Sequence, residues 1–345
     1  MKQLKYFIKR YLFINRIKKF FKNKIFTNLD GNKSIKSKHL VFYCCVWGDE
    51  YLNNFFDFSI PSLFQSENIP ALENLNFKIS FNIYSEKKSL NKIRKKIEEK
   101  ARSHNLKLEC IQLNSIESKN ILYYFIDNMK YCISKCTYCF QVNPDYIYAN
   151  GIVKNSIILS ENKNCTLALP HPRISHEKLK LKKGQIINFL ENENFSSKSL
   201  IDLLTPLSHK KCFLDAFDNI DFNTTHRGLS IRKIGINKFA VVHSMPSPYF
   251  YNFHLDDIEY FSKSGAYNEQ DRGWSEFLYL QNRLKIINNS DICFNLEITN
   301  DSDGPSKNKF INKYNDRIEK ANFYNYSMNA HYTIWAGNKE EIDFN

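Results

Sequence analysis

The sequence contains no apolar stretch reaching the roughly 18 uninterrupted residues of a membrane-crossing helix, because charges break every such run, so a spanning protein is not expected. It also lacks a cationic, apolar and cleavage-site leader ahead of its cysteines. Those nine cysteines are an odd number scattered inside apolar runs, which predicts a reduced compartment rather than a disulfide framework. No segment repeats at a period of roughly 20 to 50 residues, which excludes a solenoid. Zinc-finger, RRM and KH patterns are missing, and the basic segment carries no glycine–aromatic interleaving, so nucleic acid is not an expected partner.

What is present is a chain of 345 residues with 43% hydrophobic and 15% aromatic content, enough to bury a full core as one large domain or two joined ones. The abundance of Lys, Asn, Ile and Phe is a compositional bias that discounts arguments from any single Lys or Phe. The net charge of +13 is uneven: Lys2, Lys5, Lys9, Arg10, Arg16, Lys18, Lys19, Lys22 and Lys24 supply nine cations, with no acid among them. Leu4, Phe7, Tyr11, Ile14, Ile17, Phe21 and Ile25 recur at steps of three and four, so they share one helical face. Residues 1–28 therefore read as a basic amphipathic helix lying on an anionic membrane surface, where each cation adds about 1 kcal/mol. A solvated basic helix docked on its own domain, or a disordered arm, is the alternative.

After a polar linker over 29–38, apolar and amphipathic runs alternate. His39–Val46, Phe77–Tyr84, Leu106–Leu113, a brief Phe140–Val142 and Cys165–Leu169 read as strands. Tyr51–Phe64, interrupted at Pro61, then Lys88–Ala101, Asn120–Tyr138 and Val153–Ser160 read as helices. This order predicts an α/β fold with a mainly parallel sheet covered on both faces, and sites at the carboxyl ends of its strands. Residues 179–221 read as a helical insertion and Phe239–His243 as a strand. Pro246 and Pro248 predict a loop, Gly273–Ile287 a helix, and Ile292–Ile298 a late strand.

Four constellations could carry chemistry. Trp47-Gly48-Asp49-Glu50-Tyr51 follows the first strand, where a glycine between an aromatic ring and carboxylates lets backbone and acid approach a ligand; a capped turn has the same pattern. Asn143-Pro144-Asp145, with Ala149-Asn150-Gly151 beyond, puts one acid on a stiffened loop suited to a divalent cation on a diphosphate, or simply to a turn. His243, with His254, Asp256 and Asp257 following, could add an imidazole or carboxylate to a metal site with Asp145, or be structural. Glu269, Asp271 and Arg272 precede a helix, where Asp271 or Glu269 could act as general base or as a cap, and Arg272 could meet an anion.

A competing signal is Cys132, Cys136 and Cys139. Their C-x3-C-x2-C spacing resembles the iron–sulfur motif of radical S-adenosylmethionine enzymes, in which three thiolates bind three irons. The alternative is that they are small residues packing a helix against a sheet, since Cys132 and Cys136 fall at i and i+4 of a helical run.

Val46-Trp47-Gly48-Asp49-Glu50-Tyr51, Phe58-Ser59-Ile60-Pro61-Ser62-Leu63 and Asn68-Ile69-Pro70-Ala71-Leu72, joined by Asn143-Pro144-Asp145 and Asn150-Gly151, resemble the bacterial GT-A-type (family 2-like) glycosyltransferases of surface-glycan biosynthesis. The resemblance covers residues 39–175 and more loosely 239–300. It implies a GT-A, Rossmann-like fold, with a nucleotide-sugar-binding half over 39–175 and an acceptor-binding half over 176–345. It implies a nucleotide-sugar donor contacted by Trp47 to Tyr51, Tyr84, Ser85, Asn143, Asp145 and Asn150. Asp145 would stand where the family's acidic metal motif ends, with manganese or magnesium as the ion. No D-x-D occurs, and Asn150 replaces the second acid, so metal dependence stays open. The acceptor would be a surface glycan or glycolipid, met by a peripheral enzyme at the cytoplasmic face of the inner membrane. Arg173, Arg227 and Arg272 could neutralise the leaving diphosphate. A non-catalytic membrane-associated scaffold is the remaining alternative.

Overall fold

The computed structural model describes residues 36–116, 121–169, 171–192, 195–209, 229–235, 238–243, 247–263, 273–287, 289–302 and 331–336. The basic segment 1–28, most of the linker, Cys212, Arg227, Glu269, Asp271 and Arg272 lie outside the described residues. In chain order the strands are β1 (His39–Val46), β2 (Lys78–Ser85), β3 (Cys110–Ser115), β4 (Tyr138–Gln141), β5 (Tyr146–Tyr148), β6 (Thr166–Leu169) and β7 (Arg173–Ser175). They continue with β8 (Leu229–Gly235), β9 (Lys238–His243), β10 (Ser247–Tyr251), β11 (Leu284–Ile286), β12 (Asn295–Thr299) and β13 (His331–Ala336).

Seven strands form one sheet in the order β11-β6-β10-β4-β1-β2-β3, in which β10 alone runs against its neighbours. Helices cover both faces, so β1 has to be apolar on both sides, and HLVFYCCV is. Leu40, Phe42, Cys44 and Val46 face a cluster built with α1 (residues 49–63), α2 (Ala71–Asn74), α3 (Leu90–Ser103) and α5 (Ile152–Lys163), which follows α4 (Ile121–Ser134). Val41 and Tyr43 face α4 together with α8 (Leu255–Lys263) and α9 (Gly273–Leu280). Phe42 stacks on Phe81 of β2 at 5.2 Å between centroids. Each such fully buried ring contributes about 2–3 kcal/mol. The result is an α/β fold, mainly parallel and flanked by helices, compatible with a Rossmann-like arrangement.

A second sheet, β5-β12-β7, lies beside the first and carries its own apolar cluster with α6 (His176–Asn192) and α7 (Ser197–Leu207), the latter capped by the Ser196 hydroxyl accepting from Ser199 N–H at 3.2 Å. A third, antiparallel sheet orders β13-β9-β8 and pairs His243 with His331 and Leu229. No helix among the described residues is long and apolar enough to cross a membrane.

Three sequence expectations change. The helix of residues 49–63 is not broken at Pro61: a π-helical stretch, Phe55–Ser59, closed by Ile60 N–H on Phe55 O, absorbs the turn at which proline has no N–H to give. The loop expected around Pro248 is strand β10, and the chain tolerates proline inside a sheet because the register with β6 shifts between Pro248 and Phe250. Gly273–Ile287 is not one helix. It stops when Asn282 adopts φ 56°, with Arg283 N–H returning to Leu278 O and Asn282 N–H to Tyr279 O, and the chain then enters β11. Strands β10 and β11 come from beyond residue 175, so a boundary there does not divide the main sheet.

Candidate functional site

From β1 the chain moves outward through β2 to β3, then returns to place β4 on the other side of β1. Connections leaving the carboxyl ends of β1 and β4 therefore diverge, which opens the crevice where ligands of such sheets bind. Trp47 and Gly48 leave β1 there, and Asn143, Pro144 and Asp145 follow β4, whose Val142 N–H still bonds Tyr43 O at 2.7 Å. Gly48 has φ 78°, a conformation that costs other residues strain. Trp47, just before the Gly48 turn, and Tyr51, in the first turn of α1, are large side chains left open to solvent, at 36% and 45% exposure. Exposed rings beside a crevice suit stacking on a planar or pyranose ligand.

The 143–151 loop is held by the segments between β1 and β2. The Ser59 hydroxyl reaches the carbonyls of Asn143, Pro144 and Tyr146 at 3.1, 2.9 and 2.8 Å. Ser62 Oγ accepts from Tyr148 N–H at 3.2 Å. Asn68, fully buried, donates to Ser62 O and Ala149 O and accepts from Gly151 and Val153 N–H, all between 2.8 and 3.1 Å, so it caps α5. Asn150 is used in the same framework: its Oδ1 accepts from Glu67 N–H at 2.8 Å.

Asp145 is thereby fixed against the β7–β12 ladder, where its carbonyl accepts from Ile298 N–H at 2.7 Å. Arg173 and Glu297 face each other in register on that ladder, with Arg173 Nη2 2.7 Å from Glu297 Oε1 and both side chains mostly covered. Burial, then the neighbouring Glu297 charge, push the Asp145 carboxyl up to about 7, against the opposing pull of a backbone hydrogen bond and Arg173. Sequence reasoning nominated Asp145 and Arg173 but missed Glu297, whose only signal was its place within the alternating run NLEIT.

Beyond Arg173 and Glu297 the same two strands end at Ser175 and Thr299, and His176 and Asn300 follow directly. His176 Nδ1 lies 2.8 Å from Asn300 Oδ1 and 3.1 Å from Glu50 Oε1, and Asn300 Nδ2 donates to Glu50 Oε1 at 2.9 Å. Glu50, Asn53, Asn54 and Phe58 on one face of α1 and His176, Leu179, Lys180 and Lys183 on one face of α6 line a cleft of about 310 Å³. Glu50 was read from the sequence as a donor contact, whereas His176 went unnoticed because a lone histidine before a charged helix carries no pattern.

The other sequence-nominated residues are placed elsewhere. Asp49 is exposed in the first turn of α1. Tyr84 and Ser85 alternate, so they face opposite sides of the sheet: the Tyr84 hydroxyl donates to Asp127 at 2.5 Å, whereas the Ser85 hydroxyl is buried beside Val46 with no partner among the described residues. His243 ends β9 in the third sheet. Asp257 is fully buried, bound by both Arg283 Nη atoms at 3.0 and 2.7 Å, by Trp274 Nε1 at 3.3 Å and by His254 N–H at 2.8 Å, so it ties α8 to α9. Asp256 lies exposed in the first turn of α8. Cys132 and Cys139 are fully buried, and desolvation raises the Cys139 thiol. Cys136 ends α4 at φ 52°. Among the described residues no three His, Cys, Asp or Glu side chains converge as metal ligands. No protein-family model matches the sequence and no curated protein is similar to it, so the functional reading rests on this geometry.

Proposed function

We propose that the protein is a GT-A-type glycosyltransferase that moves a sugar from a nucleotide-sugar donor to a hydroxyl of a surface-glycan or lipid-linked acceptor. In this reading the basic segment 1–28 holds it as a peripheral enzyme on the cytoplasmic face of the inner membrane. The observation that carries the reading is the reversal of strand order between β1 and β4: the exposed Trp47 and Tyr51 follow β1, and after β4 the loop carrying Asp145 is anchored on the ladder that holds Arg173 and Glu297. Trp47 would stack on the donor's base and Gly48 would let the backbone approach it. Arg173, buried enough for its charge to act at short range, would offset the negative charge that develops on the departing diphosphate.

The described residues do not assemble a divalent-metal site, because Asp145 has only Glu297 beside it and that carboxylate is already paired with Arg173. The test is release of nucleoside diphosphate from a panel of nucleotide sugars by the purified full chain, with and without manganese. Release from one donor identifies the sugar, and the metal comparison reports on Asp145. A folded protein that neither binds a nucleoside diphosphate nor releases one from any donor overturns the proposal.

A further inference from the structure

Two strands run from the Asp145 cluster to the cleft between α1 and α6. Arg173 pairs with Glu297 and Ser175 with Thr299, and the next residues are His176 and Asn300. Three residues of extended chain span about 10 Å, which is the reach along β7 from Arg173, beside Asp145, to His176 in the cleft. Its lining sets the amides of Asn53 and Asn54, the Glu50 carboxylate, His176 and two lysines beside the apolar surfaces of Phe58 and Leu179, the mixture of hydrogen-bonding groups and apolar walls that a pyranose with its hydroxyls and ring faces can use.

Inside it the neutral His176 ring is held in one tautomer. Asn300 Nδ2 donates to the Glu50 carboxylate, which turns Asn300 Oδ1 toward the imidazole, so both atoms facing Nδ1 are acceptors and Nδ1 carries the hydrogen. The neutral ring then has its lone pair on Nε2, which meets no hydrogen-bond partner among the described residues even though the side chain is only 8% exposed. A mostly buried imidazole, oriented by a carboxylate on one nitrogen and free on the other, is the arrangement of a general base.

We propose that the α1–α6 cleft is the acceptor subsite for a carbohydrate hydroxyl and that His176, oriented by Glu50 and Asn300, is its catalytic base; this rests on the glycosyltransferase reading. The acceptor O–H proton passes to Nε2. Its oxygen forms the new bond to the anomeric carbon of the nucleotide sugar, and the bond from that carbon to the diphosphate oxygen breaks with its electron pair leaving on the diphosphate. Glu50 stabilises the imidazolium that results. The other charged groups around the cleft are already engaged or lie at its rim. Lys183 pairs with Asp57 at 2.6 Å, Glu177 accepts from Asp301 N–H at 3.0 Å, His209 faces Asp301 at 3.6 Å, and Lys180 lies along the α6 wall.

The experiment compares the wild-type full chain with His176→Asn, whose amide keeps a donor near the Nδ1 position but removes the Nε2 lone pair, and with Glu50→Gln. Nucleoside diphosphate release from the donor panel is followed from pH 5 to 9, with water and methyl glucoside as acceptor probes, and uridine diphosphate and guanosine diphosphate affinities are measured in parallel. His176→Asn should lower kcat about 100-fold or more and abolish the acid-side fall in rate, with nucleotide affinity and melting temperature unchanged. Glu50→Gln should lower kcat less than His176→Asn does. A wild type that turns over beside a His176→Asn protein of equal rate or unchanged pH profile overturns the base assignment and leaves the enzyme class standing. A wild type that binds neither nucleotide and releases none overturns the enzyme class, and this inference with it. Should His176→Asn fail to fold, an unchanged rate in Glu50→Gln overturns the dyad by itself.

Discussion

Arg173 Nη2 lies 2.7 Å from Glu297 Oε1, and this pair is what keeps a second carboxylate, that of Asp145, from facing Glu297 uncompensated. Replacing Arg173 with Met should leave two close carboxylates around a lost cation and destabilise the fold by about 3 kcal/mol at pH 8, the low end of the range for breaking a buried pair. The loss should shrink toward pH 5, where one carboxylate takes up a proton. Chemical denaturation at the two pH values measures it, and equal losses at both would refute the electrostatic account.

Asp145 supplies the second prediction. Its carboxyl is pushed up to about 7 from an ordinary value of 3.8, so between those values the native state holds a proton that the unfolded chain has released. Stability from this group therefore falls as pH rises through that window and stays low above it. Asp145→Asn removes the titration: its melting temperature should match the wild type below pH 4 and exceed it by several degrees at pH 8. A gap that narrows as pH rises would contradict the argument.

His254 titrates in the opposite sense. Burial, then the Arg283 charge, lower its imidazole from 6.5 to about 4, so below pH 6.5 the unfolded chain binds a proton that the native state refuses. Its contribution is complete above 6.5 and is lost as the pH falls to about 4. His254→Gln should flatten the acid side of the stability curve without changing stability at pH 8, as read by thermal melts at unit pH steps.

Asn68→Ala removes four hydrogen bonds at once and leaves two carbonyls and two N–H groups buried. A loss of about 3 kcal/mol is expected. Because the same bonds seat the loop that carries Asp145, donor turnover should fall as well, whereas Asp257→Asn should destabilise the protein comparably and leave donor affinity unchanged.

Cys136 offers a stabilising change. It occupies the left-handed position that closes α4, with Thr137 N–H on Cys132 O and Cys136 N–H on Ile133 O, the same closure that Asn105 and Asn282 make on their helices. Cys136→Gly should raise stability by about 0.5–1 kcal/mol, since glycine adopts φ 52° without the Cβ penalty. A large loss of stability would show that the thiol has another task.

The parallel half of the sheet was legible because β1 and β2 are eight-residue runs with both faces buried, and α3 because Ile93, Ile97 and Ala101 mark one stripe of a charged helix. Strands β5 and β7 were not, since three residues cannot display a period. Proline hid β10, and an asparagine in a left-handed turn hid the end of α9, because both residues signal loops unless a bulge or a helix stop accommodates them. Trp47, Glu50 and Asp145 could be nominated from the sequence because each lies close after a predicted strand. Glu297 and His176 gain meaning only when β12 folds beside β7, a pairing across 124 residues that no local pattern encodes.

Strand β10 (Ser247–Tyr251) lies between β4 (Tyr138–Gln141) and β6 (Thr166–Leu169), yet it is made long after both of them. Until Ser247–Tyr251 emerges from the ribosome, β4 is an unpaired edge of the leaf β4-β1-β2-β3, and β6 has neither of its sheet partners, since β11 lies further along the chain still. Long-range closure of this kind slows folding and leaves strand edges open to other chains. A nascent chain stalled before residue 247 should therefore be recovered bound to chaperones or in aggregates, while one released beyond residue 287 can seat β6 between β10 and the edge strand β11 and so complete the sheet.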